Sequence, residues 1–182
     1  IQHISDNMLK AMNRHGDSAM IKEVVSKLRR EIPDIMIRTT FIVGFPGETD
    51  EDFTELCEFV KDVKFERFGA FTFSPEEGTP AALMENQIDE KLKQHRAEIV
   101  MELQYDIMQE NNNALIGKEL TVLVEGYDRY ATSYFGRSYM DAPEIDTLIY
   151  FTSENSYEEG DFADVMITDM KDYDLVGREI TE

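Results

Sequence analysis

The sequence has little cysteine and little positive charge. Cys57 is its one cysteine among 182 residues, which excludes an internal disulfide and any metal site made only of cysteines of this chain. There are 18 Lys and Arg against 38 Asp and Glu, a formal net charge of −20. No run reaches the roughly 18 apolar residues of a membrane span, and no signal-peptide pattern is present. We therefore expect a soluble, cytoplasmic protein that does not associate with membranes.

Length and charge distribution suggest two parts. With 42% hydrophobic residues, the chain has enough apolar surface for one domain plus a small module. Because it opens on Ile1 rather than on Met, we expect a fragment of a longer protein. Residues 117–182 have a net charge of 5 − 16 = −11, and residues 1–116 have 13 − 22 = −9. Such an excess is more often a matter of solubility than of recognition, and both interpretations stay open.

The first part alternates helices with short apolar strands. A strand over 35–43 is rich in β-branched residues, and a second is predicted over 67–73. Helices are predicted after Gly16, from a capping pair formed by Thr49 and Asp52, and from about residue 88 to about 113. This order is typical of a β/α repeat, so we expect a parallel sheet.

The pattern changes at Gly117. The remaining residues form short runs of alternating apolar and polar side chains separated by turns, which is typical of a small antiparallel barrel. We place a domain boundary near residue 116.

The segment "TFIVGFPGET" (40–49) joins the first strand to the next helix. Ligands of parallel α/β sheets lie at the carboxyl ends of the strands, and this turn occupies such an end. Gly44 and Gly47 would let another group approach the backbone, and the helix would offer free N–H groups. A tight connection without a ligand is the alternative. The usual nucleotide-binding glycine motifs are absent.

Four motifs occur in a characteristic order: "IQHISDNMLKAMNR" (1–14), "RTTFIVGFPGETDEDF" (38–53), "FTFSPEEGTPAA" (71–82) and a terminal barrel. Together they resemble the radical S-adenosylmethionine methylthiotransferases over nearly the whole chain. The resemblance implies an α/β fold in which residues 1–116 are the C-terminal portion of a partial (β/α) radical SAM barrel. Residues 117–182 would form a small antiparallel β-barrel, the TRAM domain.

The resemblance also implies contacts with S-adenosylmethionine. These would come from Gln2, Ser5, Asp6, Arg38, Gly44, Phe45, Gly47, Phe73 and Ser74. Other roles are open for several of them, since Asp6 can cap a helix, Arg38 can pair with a structural carboxylate and Phe73 can belong to the core. No catalytic residue is assigned.

The resemblance implies two 4Fe-4S clusters in the intact enzyme, held by cysteines in a C-x-x-x-C-x-x-C loop and in an amino-terminal domain. Both sets of ligands are absent from this chain, and four-iron clusters require cysteine thiolates. The chain contributes no metal ligand and is expected to be inactive alone.

Charge separates the two branches of the family. One branch modifies tRNA adenosines, and the other modifies C3 of an aspartate in the twelfth protein of the small ribosomal subunit. A barrel with a net charge of −11 would repel RNA and attract a basic ribosomal protein. The segment 136–151, with "DAPEID" at 141–146, also looks like the protein-modifying branch. We expect a monomer that binds no nucleic acid directly. A tRNA-modifying enzyme and a non-catalytic binding module remain alternatives.

Overall fold

A computed structural model describes residues 1–181 and divides the chain into two compact units, the first ending at Ile107 and the second beginning at Met108. The first unit contains two strands, three complete helices and most of a fourth helix. These are α1 (Asp6–Ala11), α2 (Ser18–Glu31), β1 (Arg38–Val43), α3 (Asp50–Val63), β2 (Arg67–Thr72) and α4 (Glu90–Asn113), with a 3-10 turn at Pro80–Leu83. The boundary near residue 116 stays a prediction.

Local hydrogen bonds explain where two of the helices begin. The Asp17 carboxylate accepts from the backbone N–H of Met20 at 2.8 Å, which caps α2. A reciprocal pair opens α3, because Thr49 Oγ1 accepts from the Asp52 N–H while the Asp52 side chain accepts from the Thr49 N–H. Both starts are as the sequence predicts. Helix α3 ends at Val63, and the next residue, Lys64, caps it with a left-handed backbone of φ 50°.

The two strands of the first unit run parallel, as predicted. Arg38 pairs with Arg67 and Val43 pairs with Thr72, and the N–H of Ile42 donates to the carbonyl of Gln2 at 2.9 Å on the other edge of β1. Residues alternate along β1, so that Thr39, Phe41 and Val43 are buried against the helices while Arg38 and Ile42 face the opposite side.

An aromatic core holds this unit together. Phe41 is fully buried, and its ring centroid lies 5.4 Å from that of Phe68 and 5.9 Å from that of Phe65. Such tilted and edge-on pairs stabilise beyond the burial of their surface. Cys57 packs against this core from α3.

The second unit is a closed five-stranded barrel. Its strands are β3 (Glu119–Asp128), β4 (Ser133–Arg137), β5 (Ile149–Thr152), β6 (Phe162–Lys171) and β7 (Asp174–Glu179), arranged in the order β3, β4, β5, β7, β6. This confirms the prediction of a small barrel, but not all of its strand pairs are antiparallel. Strand β7 lies between β5 and β6, and it pairs in parallel with β5. Its core is formed by Val122, Val124, Ile149, Phe151, Ala163, Val165, Ile167 and Leu175.

The last turns of α4 belong to the second unit and fix one of its hairpin turns. Gln109 donates from Nε2 to the carbonyl of Asp172 at 2.8 Å, and Asn112 donates from Nδ2 to the carbonyl of Tyr173 at 3.1 Å. Asp172 has a left-handed backbone with φ of 55°. The turn between β6 and β7 is therefore held by side chains of a helix. Among residues 1–181, no helix is both long and apolar enough to span a membrane.

Candidate functional site

A buried carboxylate organises the turn that follows β1. The Glu48 side chain is inaccessible to solvent. Its Oε2 accepts from the N–H of Gly44 at 2.9 Å, and its Oε1 accepts from Nη1 of Arg96 at 2.7 Å. A buried charge requires a partner of opposite charge and saturated hydrogen bonds, and both are supplied here. The turn is thus fixed to helix α4.

Arg96 extends this network to the start of α3. Its Nη2 donates to Asp50 Oδ1 at 2.6 Å, and its guanidinium lies 5.3 Å from the ring centroid of Phe53. The side chain of Arg96 is only 4% exposed, whereas that of Asp50 is 89% exposed, so the pair with Glu48 is the structurally important one.

His3 completes the group of buried polar residues. Its Nδ1 accepts from the N–H of Ser5 at 3.1 Å, so a neutral ring has its proton on Nε2. That nitrogen lies 3.5 Å from Glu48 Oε2, without the geometry of a hydrogen bond. We call His3, Glu48 and Arg96 the Glu48 cluster. Sequence reasoning missed Glu48 and Arg96. An acidic residue within a glycine turn and an arginine in a charged helix both resemble surface residues.

The structure corrects the reason given for Gly44. A Cβ on this residue would lie 2.3 Å from Cγ of Lys93, so the missing side chain makes room for the aliphatic stem of a lysine. The ammonium of Lys93 donates to the carbonyl of Phe73 at 3.0 Å and lies 5.5 Å from the centre of its ring. The expectation that the absent side chain at Gly44 opens space for a cofactor is wrong on the side where a Cβ would lie, because the stem of Lys93 fills that space. A contact between its backbone and a ligand stays a prediction.

Gly47 differs from Gly44. Both residues have a left-handed backbone, with φ of 84° at Gly47 and 72° at Gly44, but nothing lies within 4 Å of the position that a Cβ of Gly47 would take. Its N–H donates to the carbonyl of Asn86 at 2.8 Å. The backbone conformation alone therefore favours glycine here, and the adjacent space is open.

Three of the nine predicted contact residues meet in one cavity. Gln2, Phe45 and Phe73 line an open cavity of about 520 Å³ at the carboxyl ends of β1 and β2. Phe45 and Phe73 form an edge-on pair with ring centroids 5.0 Å apart. The remaining wall consists of Ala11, Met12, Asn13, Arg14, Ile42, Thr79, Pro80, Ala81 and Met84. Apolar walls with a few polar groups suit an amphipathic ligand that has a flat ring.

Ser5 and Asp6 are engaged elsewhere. The Ser5 hydroxyl is buried and donates to Asp52. Burial opposes ionisation of Asp52, but hydrogen bonds from Ser5, Thr49 and Asn7 lower the pKa of its carboxyl. Asp6 accepts from the N–H of Ser18 at 2.7 Å, and this bond lowers the pKa of Asp6.

Arg38 and Ser74 also lie outside the cavity. Arg38 is exposed at the beginning of β1, on the same face as Ile42 but about 13 Å further back along the strand. Ser74 is exposed just after β2. The structure thus brings Gln2, Phe45 and Phe73 together, and contact with a cofactor stays a prediction for all nine residues.

An iron–sulfur cluster does not fit the residues of this chain. Within residues 1–181, no three His, Cys, Asp or Glu side chains are grouped so as to hold a metal ion. The one thiol, Cys57, is half-buried in the core, and burial raises its pKa, which opposes the thiolate that a cluster needs.

Two family models match the chain. Residues 1–60 match the radical SAM superfamily, and residues 116–180 match the TRAM domain. These matches cover the first strand with its glycine turn and the whole barrel. The fold and the cavity thus define a segment of a radical SAM domain followed by a TRAM domain.

The relatives agree with this architecture. The chain is 50% identical over all of its 182 residues to a protein of Carboxydothermus hydrogenoformans, of which it covers 42%. It is 49% identical over 177 residues to a protein of Thermoanaerobacter sp. (strain X514), with 97% of this chain and 40% of the relative covered. A Geobacter sulfurreducens protein is 47% identical over 182 residues, 100% of this chain and 40% of the relative.

All three relatives are named ribosomal protein uS12 methylthiotransferase RimO. The chain is similar over 97–100% of its length to these methylthiotransferases, and it spans about two fifths of the length of the curated relatives that it matches.

Proposed function

We propose that this chain is the C-terminal part of an enzyme that places a methylthio group on C3 of an aspartate in ribosomal protein uS12. The observation that supports this most is the 47–50% identity that extends through both units to proteins with that printed name. In this proposal the first unit contributes to the cofactor site and the barrel binds the substrate.

The cavity beside Phe45 and Phe73 is proposed to hold the adenosyl part of S-adenosylmethionine. An aromatic pair offers a surface for a purine ring, and the side chain of Gln2 offers a donor and an acceptor at the rim. The Glu48 cluster keeps the turn that bears Phe45 in place. When bound together with a 4Fe-4S cluster, S-adenosylmethionine supplies the radical that removes hydrogen from the substrate. The ligands of that cluster and of an auxiliary 4Fe-4S cluster would belong to parts of the enzyme outside this chain.

The barrel is proposed to receive the basic substrate protein directly. Its segment has a net charge of 5 − 16 = −11, which repels phosphate backbones and speeds encounters with a cationic protein. We therefore propose a monomer in the cytoplasm that acts on a ribosomal protein without binding RNA.

The test uses the intact protein, purified without oxygen and supplied with S-adenosylmethionine, a reductant and either uS12 or tRNA. Mass spectrometry of the products should find a methylthio group on one aspartate of uS12. Modification of tRNA alone would establish the other branch of the family, and modification of neither would leave a binding module.

A variant test addresses the cavity. Phe73→Leu keeps an apolar side chain but removes the ring, and we expect it to weaken S-adenosylmethionine binding about tenfold in calorimetric titration. Val24→Ala alters an exposed apolar side chain on α2 and is the control. Equal affinities in the two variants would place the adenosyl group elsewhere.

A further inference from the structure

Strand β3 is longer than β4, so part of β3 is paired on one side only. β3 has 10 residues and β4 has 5. The pairing of β4 with β3 ends where Arg137 meets Leu123, whereas residues 119–123 pair with β6 on the other side. Among residues 1–181, no strand pairs with residues 119–122 on the side away from β6. We call the backbone of residues 119–122 on this side the β3 edge.

Two residues present their backbone groups to the β3 edge. The carbonyl of Lys118 accepts from the N–H of Ile167 at 2.9 Å, and Val124 is hydrogen bonded to the chain just before β6, so even-numbered residues face β6. Successive residues of a strand alternate, so Glu119 and Thr121 direct their N–H and C=O groups away from β6. Within the part of the chain that the structure describes, no partner of these four groups is found on that side.

A fixed turn carries the chain away from the β3 edge after β4. The Ser138 hydroxyl donates to Asp141 Oδ2 at 2.9 Å and accepts from the N–H of Met140 at 3.2 Å. Ser138 and Asp141 are only 3% and 7% exposed. Because this turn is buried and hydrogen bonded, β4 is not free to extend along β3. The unpaired edge is therefore part of the folded barrel.

An open cavity lies beside the β3 edge and gives a separate indication of an occupant. Its volume is about 540 Å³, and its walls are Glu119, Leu120, Thr121, Leu123, Arg137, Ser138, Tyr139 and Phe162. Two of these walls are large aromatic side chains that are mostly exposed, Phe162 at 68% and Tyr139 at 67%. Phe162 lies directly opposite Leu123 in the strand register, which makes the surface continuous and apolar. Such surfaces on soluble proteins mark interaction sites.

The charges around the β3 edge favour a cationic occupant. Glu119 is exposed on the edge, and Asp164 is exposed on the neighbouring β6. The exposed turn before Phe162 has the sequence "EEGD" at residues 158–161. Arg137, the cation of the cavity wall, is hydrogen bonded to Glu125 at 2.9 Å and is neutralised by it. A nucleic acid would be repelled here, as would a second copy of a chain with a net charge of −20.

We infer that the β3 edge binds an extended, cationic segment of a partner polypeptide as an added strand, with Glu119 and Thr121 exchanging backbone hydrogen bonds with it. In strand addition the main-chain hydrogen bonds supply affinity, and neighbouring side chains supply selectivity. Phe162 and Tyr139 contact apolar side chains of the added strand, and the surrounding carboxylates attract its Lys and Arg side chains. That the partner is the ribosomal substrate rests on the proposed function.

The first measurement needs no ligand. Amide hydrogen exchange of the isotope-labelled 182-residue chain is followed residue by residue by NMR. The N–H groups of Leu120 and Val122 face β6, so we expect them to exchange at least about a hundredfold more slowly than those of Glu119 and Thr121. Equal protection of the two sets would show that the β3 edge is already paired, which would overturn the inference.

The second measurement adds a probe, a blocked heptapeptide in which lysine and valine alternate. At saturation, the amides of Glu119 and Thr121 should exchange at least about tenfold more slowly than in the free chain. Two analogues are N-methylated, one at the valines and the other at the lysines. Only one set of amides faces β3 in an added strand, so one analogue should bind about tenfold more weakly than the other. A peptide with glutamate in place of lysine should also bind at least about tenfold more weakly.

A matched pair of variants tests the β3 edge itself. Thr121→Pro removes an N–H from the edge without removing a hydrogen bond to β6. Thr121→Val keeps this N–H, and like proline it lacks the hydroxyl that donates to Asp164 at 2.8 Å. We expect the proline variant to bind the lysine peptide about tenfold more weakly and the valine variant to change binding less than about twofold. The N-methylated peptides decide the question even if the proline variant does not fold.

Several outcomes would overturn the inference. These are equal binding of the two N-methylated analogues, equal losses in the two Thr121 variants, or tighter binding of an oligothymidylate than of the lysine peptide at this edge. Protection of Glu119 and Thr121 through self-association of the chain would also overturn it. The measurements need neither cofactor nor ribosomal protein. An enzyme that does not modify uS12 would therefore refute the proposed function alone.

Discussion

Replacing Arg96 by methionine tests whether the Glu48 cluster holds the glycine turn. The Arg96 and Glu48 side chains are 4% and 0% exposed, and the two charges approach to 2.7 Å. At an effective dielectric constant of about 20, their direct attraction is about 6 kcal/mol, much of which offsets the loss of hydration. Arg96→Met leaves the carboxylate buried without its cation. Breaking a buried pair in this way destabilises by about 3–5 kcal/mol.

Hydrogen exchange read by mass spectrometry is the appropriate assay, because the chain has two units and a single unfolding transition is not assured. We expect peptides from β1 and α3 to lose about 3–5 kcal/mol of protection, while barrel peptides lose much less. Replacing both residues, as Glu48→Gln with Arg96→Met, removes both charges and should recover at least about 2 kcal/mol relative to the sum of the single effects.

Arg30 provides the matched control, since it pairs with Glu31 at 3.1 Å but is 68% exposed. Arg30→Met should change protection by less than about 0.5 kcal/mol. The reasoning fails if Arg96→Met costs less than about 1 kcal/mol at β1, or if the loss is equally large in the barrel.

Three further predictions concern the barrel, the glycine turn and the thiol. A hydrogen bond to Glu179 raises the pKa of Tyr157 to about 12. The stability that this tyrosine contributes to the barrel is therefore present below the ordinary tyrosine pKa and is lost as the pH rises through about 12. Tyr157→Phe should abolish this loss of stability at alkaline pH in thermal scans of the barrel. Gly44→Ala should cost about 2–4 kcal/mol in hydrogen exchange, from backbone strain plus overlap with a lysine stem, whereas Gly47→Ala should cost about 1 kcal/mol from strain alone. Because Cys57 is the only thiol, reconstitution of this chain with iron and sulfide should yield no 4Fe-4S absorption.

Each of these predictions has a clear contrary outcome. An unchanged alkaline limb in Tyr157→Phe would assign the titration to another group. Equal costs for the two glycine replacements would mean that contact with the lysine is unimportant. A four-iron spectrum from the chain alone would require ligands other than cysteine.

Local signals in the sequence were enough for most of the fold. The capping pair of Thr49 and Asp52 lies within four residues, and the helix start after Gly16 is equally local, so both helices could be located directly. The parallel pairing of β1 with β2 followed from the alternation of helices and strands. The parallel pair of β5 and β7 could not be anticipated, because strand order in a barrel depends on contacts between residues far apart in the sequence.

The candidate site was less predictable than the fold, because its buried polar residues contact partners that are distant in the sequence. Ser5 appeared as a cofactor contact, yet its hydroxyl is engaged by Asp52, 47 residues away. The fit of Lys93 over Gly44 depends on the packing of α4, which no local pattern specifies. Phe45 and Phe73 could be found only because motifs, rather than periodicity, identified them.

The position of β7 has a consequence for biosynthesis. Since the last strand of the ring is inserted between β5 and β6, β5 and β6 each have an open backbone edge until β7 arrives. A nascent chain that lacks β7 therefore exposes two strand edges with unpaired backbone groups. Termination of synthesis before β7 would favour aggregation over a smaller folded product.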